Sequence, residues 1–109
     1  MPEIVITGMG IVSPAGIGKA NFWRHIREGK SFIGPISRFD ASLYPSRIAG
    51  QVKELEPYSN SFSPRLLKKI DLFSHLALVA SELALKDANI ELKNFNLKRT
   101  GIFMGNAIG

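Results

Sequence analysis

The chain contains no cysteine among its 109 residues. Disulfides, thiolate metal sites and a cysteine nucleophile are therefore excluded from it. Histidine is nearly as scarce, with only His25 and His75 present, so no metal site is expected. No apolar run approaches the length needed to cross a bilayer, and no membrane span is expected. Acidic Glu3 and a β-branched stretch stand where a secretory signal would carry basic residues and a cleavage site. A cytoplasmic location is the resulting expectation.

What is present reads as a folded chain. Hydrophobic residues make up 45% and charged residues 21%, a balance that supports a packed core and argues against disorder. The length allows one compact domain at most. The formal charge of +5 invites a polyanionic partner, whether nucleic acid, membrane surface or acidic protein. The basic residues, however, are scattered from Lys19 to Arg99 with acidic residues among them, and no DNA- or RNA-binding motif is present. No specific nucleic-acid partner is expected.

Residues 3–7 are β-branched and nearly continuously apolar, as suits a strand buried on both faces of a parallel sheet. Residues 19–28 predict a short helix with Phe22, Trp23 and Ile26 on one side and Arg24, Arg27 and Glu28 toward water, stopped by Gly29. Residues 31–46 read as an ordered loop anchored by Phe32, Phe39 and Tyr44, and residues 47–52 as a short edge strand. Ser63 is placed to cap a helix whose first position is Pro64, running through Ile70 and bending or restarting near Asp71. Between residues 72 and 88 apolar side chains recur with helical spacing, and Leu78, Val79 and Leu85 widen the stripe enough to predict cover on more than one side. Residues 99–107 read as a second buried strand closing in a small-residue turn. The order of elements predicts an α/β layered fold with a mixed, mainly parallel sheet packed by helices. The sheet is short of strands, so residues 1–109 are expected to form a single incomplete domain.

The stretch GMGIVS at residues 8–13 invites comparison with a dinucleotide-binding fingerprint. That motif needs a third glycine, where this chain has Ser13 followed by Pro14. It also needs an acidic residue at a strand end about twenty positions on, and Glu28 falls at the end of the predicted helix. The alternative is that Gly8 and Gly10 are small because a neighbouring element packs closely against their backbone.

The whole chain, taken in order, resembles a known family. VITGMGIVSPAG, the Phe22-Trp23 helix ending in glycine, Arg38-Phe39-Asp40, Ile48-Ala49-Gly50, Lys69-Ile70-Asp71-Leu72-Phe73 and RTGIFMGNAIG together resemble the N-terminal part of an elongating β-ketoacyl-[acyl-carrier-protein] synthase. The resemblance implies a thiolase-like layered fold, a dimer in the complete enzyme, and decarboxylative condensation of an acyl thioester with malonyl carrier protein in fatty-acid or polyketide synthesis. It implies no directly bound cofactor, the phosphopantetheine arriving on the acyl carrier protein. The reaction requires a reactive cysteine and donors for a developing enolate, which histidines supply in this family. Those residues are expected beyond Gly109, and neither His25 nor His75 matches a catalytic position. No catalytic residue is therefore assigned, and the 109 residues alone are expected to be inactive.

Two sets of residues remain as binding candidates. At about 100° per residue, Arg65, Lys68 and Lys69 fall on one helix face, with Leu66, Leu67 and Ile70 on the other. The basic face is either an ordinary solvated surface or, as the resemblance implies, part of the docking patch for the acidic acyl carrier protein. Positions 66 and 67 are apolar here where relatives often carry polar residues. Ile108, in the closing GNAIG, is either a core residue at a strand end or, by resemblance, a side chain lining the acyl pocket. An alternative function for the chain is a non-catalytic module, derived from such an enzyme, that binds a carrier protein or another synthase subunit.

Overall fold

A computed structural model describes residues 2–109. They form two compact units: Ile11–Asn60, and the segment up to Gly10 together with Ser61–Gly109.

In the first unit, a hairpin pairs β1 (Val12–Ser13) with β2 (Gly16–Ile17), antiparallel, with Val12 opposite Ile17. Gly16 has φ of 129°, a conformation open to glycine and strained for other residues. Helix α1 follows at Lys19–Arg27. It ends as the sequence predicts. Gly29, at φ 66°, donates its N–H to Ile26 O and Lys30 donates to His25 O, the paired bonds of a Schellman motif.

The inner side of α1 differs from expectation. Trp23 is 60% exposed, whereas Phe22 and His25 are half-buried. A polar residue can take the inner position because its hydrogen bonding is satisfied there. His25 Nδ1 lies 2.5 Å from the Ala15 carbonyl oxygen. That oxygen can only accept, so Nδ1 carries the proton. The imidazole also lies against Phe32, with ring centroids 4.8 Å apart.

The loop expected over residues 31–46 contains a strand, β3 (Ile33–Pro35), which pairs antiparallel with β4 (Ile48–Gly50). The edge strand predicted at 47–52 is thus present and supplies the partner. Of the expected aromatic anchors, Phe32 is half-buried, while Phe39 and Tyr44 are exposed and pack edge-to-face on each other at 5.8 Å. Gln51 closes the open end of the ladder. Its Oε1 accepts from Ser37 N at 3.1 Å and Arg38 N at 3.3 Å, and its Nε2 donates to Pro35 O at 3.1 Å.

The second unit is organised by its helices. Helix α2 (Pro64–Leu67) begins where Ser63 Oγ accepts from Leu66 N at 3.2 Å. The helix expected to run through Ile70 instead ends at Leu67, where 3₁₀-type bonding closes its last turn, and the chain becomes helical again as α3 (Leu72–Asp87) after the predicted interruption near Asp71. Val79 is only 1% exposed, in keeping with cover beyond a single stripe. Asn89, at φ 54°, closes α3 through the same paired carbonyl bonds that Gly29 gives α1. No helix among the described residues is long and apolar enough to cross a membrane.

Ala80 and Ala84 on α3 and Ala88 at its C-cap lie one above another, and the backbone of residues 8–10 runs against them. A Cβ built on Gly8 would lie 2.6 Å from Ala88 N and 2.7 Å from Ala88 Cβ, besides striking Ala84 O. One built on Gly10 would overlap Ala80 O and lie 2.7 Å from Ala84 N. The glycines of GMGIVS therefore serve close packing, as the alternative reading had it. Between them, Met9 N donates to Asp87 Oδ2 at 3.0 Å.

The expected mainly parallel sheet is not observed among the described residues, where both ladders are antiparallel and two-stranded. The segments predicted as its strands, residues 3–7 and 99–107, carry no ladder, and Arg99 ends a 3₁₀ turn (Leu97–Arg99). A strand needs a neighbour to take up its N–H and C=O groups, and neither segment is paired in either ladder of the described residues. Their apolar side chains are correspondingly open, with Ile4 and Phe103 each 98% exposed.

The glycine packing generates a direct expectation. Gly10→Ala should destabilise the protein by about 1–3 kcal/mol through overpacking against rigid helix backbone. Gly34→Ala is the control, because its added methyl meets nothing within 4 Å. Paired thermal melts would check this, with equal melting temperatures for the two variants counting against the close contact.

Candidate functional site

The candidate binding segment is the turn and short helix that carry Arg65, Lys68 and Lys69. Helicity starts at Ser63 because its side chain replaces one missing acceptor for the first-turn N–H groups. Pro64 stands at the first helical position, where it has no N–H to lose. Lys68 N then bonds to Pro64 O at 3.1 Å and Lys69 N to Leu66 O at 2.9 Å, so the last turn tightens and the helix ends.

All three cations are exposed, but only Arg65 lies within α2; Lys68 is its C-cap and Lys69 follows in the turn, so the predicted helix face stops short of the two lysines. None of the described ion pairs takes Arg65, Lys68 or Lys69. The opposite side is less uniform than the sequence suggests. Leu67 and Ile70 are half-buried, but Leu66 is 40% exposed. A helix of four residues has too few turns to bury every apolar position. The segment thus presents three unneutralised cations with a leucine beside them.

Glu82, one turn before the end of α3, is the charged group tied to the start of this segment. Ser61 Oγ donates to Glu82 Oε1 at 2.5 Å, and the Lys86 ammonium lies 3.1 Å from the same oxygen. The Ser61 hydroxyl, and after it Lys86, hold the Glu82 carboxyl below its usual 4.5. Neither Ser61 nor Glu82 stands out in the sequence. Ser61 is one serine among several, and Glu82 looks like any solvated helix residue.

Ile108 lies apart from these groups, 98% exposed, and lines none of the described cavities. Its neighbour Gly109 approaches α3 closely enough that a Cβ there would lie 2.9 Å from the Phe73 ring. His25 is engaged with Ala15 and Phe32 as described, and His75 is half-buried on α3. No group of three or more metal-ligating side chains occurs among the described residues.

Comparison with known proteins bears on the whole chain. The family model described as "Beta-ketoacyl synthase, N-terminal domain" matches residues 1–109. The chain is 36% identical over 107 residues to the 3-oxoacyl-[acyl-carrier-protein] synthase 2 of Coxiella burnetii, covering 98% of this chain and 26% of that protein. It is 35% identical over 107 residues to the protein of the same name from Synechocystis, with the same coverage of each chain. Identity reaches 39% over 107 residues with the tetracenomycin polyketide synthase ketoacyl synthase alpha subunit of Streptomyces glaucescens, covering 98% of this chain and 25% of that one. The chain thus spans about a quarter of the length of these curated relatives.

The Glu82 site has a pH signature. Because its folded pKa is depressed, the stability it contributes is complete above the usual 4.5 and is lost as pH falls through the folded value. In Ser61→Ala the largest cause of that depression is gone. An NMR titration of the Glu82 side chain should therefore show its midpoint below 4.5 in the unaltered protein and closer to 4.5 in the variant. Identical midpoints would show that the hydroxyl does not stabilise the carboxylate.

Proposed function

The chain belongs to the β-ketoacyl synthase family, as a segment of its N-terminal domain, and on that premise we propose that it is part of an acyltransferase that extends acyl chains by decarboxylative condensation. The observation that carries this reading is the family match across residues 1–109, joined by relatives named as a 3-oxoacyl-[acyl-carrier-protein] synthase and as a polyketide ketoacyl synthase subunit. In the proposed reaction an acyl group passes from a carrier thioester to a cysteine, and the carrier thiol leaves. Malonyl carrier protein then loses carbon dioxide. The electron pair of the broken carbon–carbon bond forms a carbanion that attacks the acyl-enzyme carbonyl, and the cysteine thiolate is expelled. This chain supplies no cysteine, so its part lies in the scaffold and in recognition.

Within that reading, Arg65, Lys68 and Lys69 receive the acyl carrier protein, which delivers its phosphopantetheine arm to the site. Three exposed cations close together in sequence beside a capped helix start suit electrostatic steering of an acidic partner. Residues 3–7 and 99–107 become strands of a thiolase-like, mainly parallel sheet, in which neighbouring strands of the larger protein cover their apolar faces. Residues 1–109 are then part of one domain, Ile108 lines the acyl pocket, and the complete enzyme is a cytoplasmic dimer.

Charge reversal tests the docking surface. In the protein that carries this segment, Arg65→Glu with Lys69→Glu should weaken carrier binding by about tenfold at low salt and flatten its dependence on ionic strength. Unchanged affinity at low salt would remove the electrostatic claim. Ile108→Phe should shift the product distribution toward shorter chains, measured by mass spectrometry of the acyl products, and an unaltered distribution would remove Ile108 from the pocket.

A further inference from the structure

The segment that carries the three cations cannot hold itself in place. A four-residue helix has no independent stability, and its apolar side is only partly covered. Its C-terminal end leads straight into the break before α3. Its N-terminal end is held by a specific polar tie, since Ser61, two residues before the cap Ser63, donates its hydroxyl proton to Glu82. Glu82 belongs to the sixteen-residue α3, the long rigid element of this unit. The same helix is locked against the backbone of residues 8–10 through Ala80, Ala84 and Ala88.

The chemistry of the tie suits a fixed strut. A hydroxyl bonded to an ionised carboxylate makes a shorter and stronger bond than a neutral pair does. Lys86, at the next turn of α3, lies 3.1 Å from the same oxygen and adds a second charge-assisted contact to it. The bond therefore sets where the chain touches α3 just before Ser63, and with it the direction in which Arg65, Lys68 and Lys69 project.

We propose that Glu82 is a positioning residue for carrier docking, which acts through Ser61 to fix the basic segment on α3. This rests on reading the three cations as the docking surface. Cations on a loose arm still attract an acidic partner at long range, but a fixed arrangement selects the pose in which the partner's arm enters the site. Loss of the tie should therefore lower productive encounters while leaving the salt dependence of attraction intact.

The experiment compares two substrates in the full protein that carries this segment. One is malonyl borne on acyl carrier protein, and the other is malonyl on a short pantetheine thiol without the protein. Ser61→Ala and Glu82→Ala should each reduce kcat/KM for the carrier-borne substrate about three- to tenfold and leave the carrier-free substrate unchanged. Ser61→Thr, which keeps the hydroxyl, should restore the value. The double variant should be no worse than either single one, as expected for two halves of one interaction. The Ser61→Ala and Ser61→Thr pair keeps the test decisive even where loss of Glu82 impairs folding.

An equal fall for both substrates would mean general structural damage and would overturn the proposal. If Arg65→Glu with Lys69→Glu impairs the carrier-borne reaction while Ser61→Ala and Glu82→Ala do not, the positioning role is wrong and the docking surface stands. If the charge reversal itself has no effect on the carrier-borne reaction, the docking reading fails and the positioning role falls with it.

Discussion

The unit built on α3 depends on one close approach, the backbone of residues 8–10 lying directly on the small side chains of that helix. Extended backbone can come this near a helix only where both sides lack bulk, with glycine on one and Ala80, Ala84 and Ala88 on the other. The approach leaves Met9 N without a neighbouring strand, and Asp87 supplies the acceptor. Steric contact and hydrogen bond act together here. The contact sets the distance, and the bond sets the register along the helix.

From this fixed helix the rest of the unit is suspended by polar ties and helix caps. Ser63 starts α2, Asn89 ends α3, and Glu82 holds Ser61 at the entry to the basic segment. Each contact is modest alone, since a single cap contributes about 1 kcal/mol. Their value lies in direction, because each fixes where the chain turns. The cations are thus displayed from a surface whose geometry comes from the backbone and from α3, while the charges themselves remain free to meet a partner.

Local signals in the sequence translated well into structure. Ser63-Pro64, Gly29 and the interruption before Asp71 are all found as helix boundaries, because capping depends on a few neighbouring residues and little else. The glycine pair was also legible, since its departure from the dinucleotide motif left close packing as the remaining reason for small residues. The sheet was not legible in the same way. Residues 3–7 have the composition of a buried strand, but a ladder depends on a partner that may be distant in sequence, and composition cannot supply one. The exposure of Arg65, Lys68 and Lys69 followed from angular spacing, although only Arg65 lies within α2. The Ser61–Glu82 tie did not, because a serine and a glutamate twenty-one positions apart give no pattern until the fold brings them together.

Gln51 shows how narrowly a half-buried residue can be specified by its backbone hydrogen bonds alone. Its amide acts as one rung of a sheet, accepting from two backbone N–H groups on one side and donating to the Pro35 carbonyl on the other. Both functions are needed on a single flat group. Glutamate has the same shape, but would set a second acceptor against the Pro35 oxygen, and lysine would offer donors where two donors already point. The conformation of the 35–38 turn is therefore coupled to the chemical identity of one side chain, and a substitution that conserves size and polarity there still reverses a hydrogen bond.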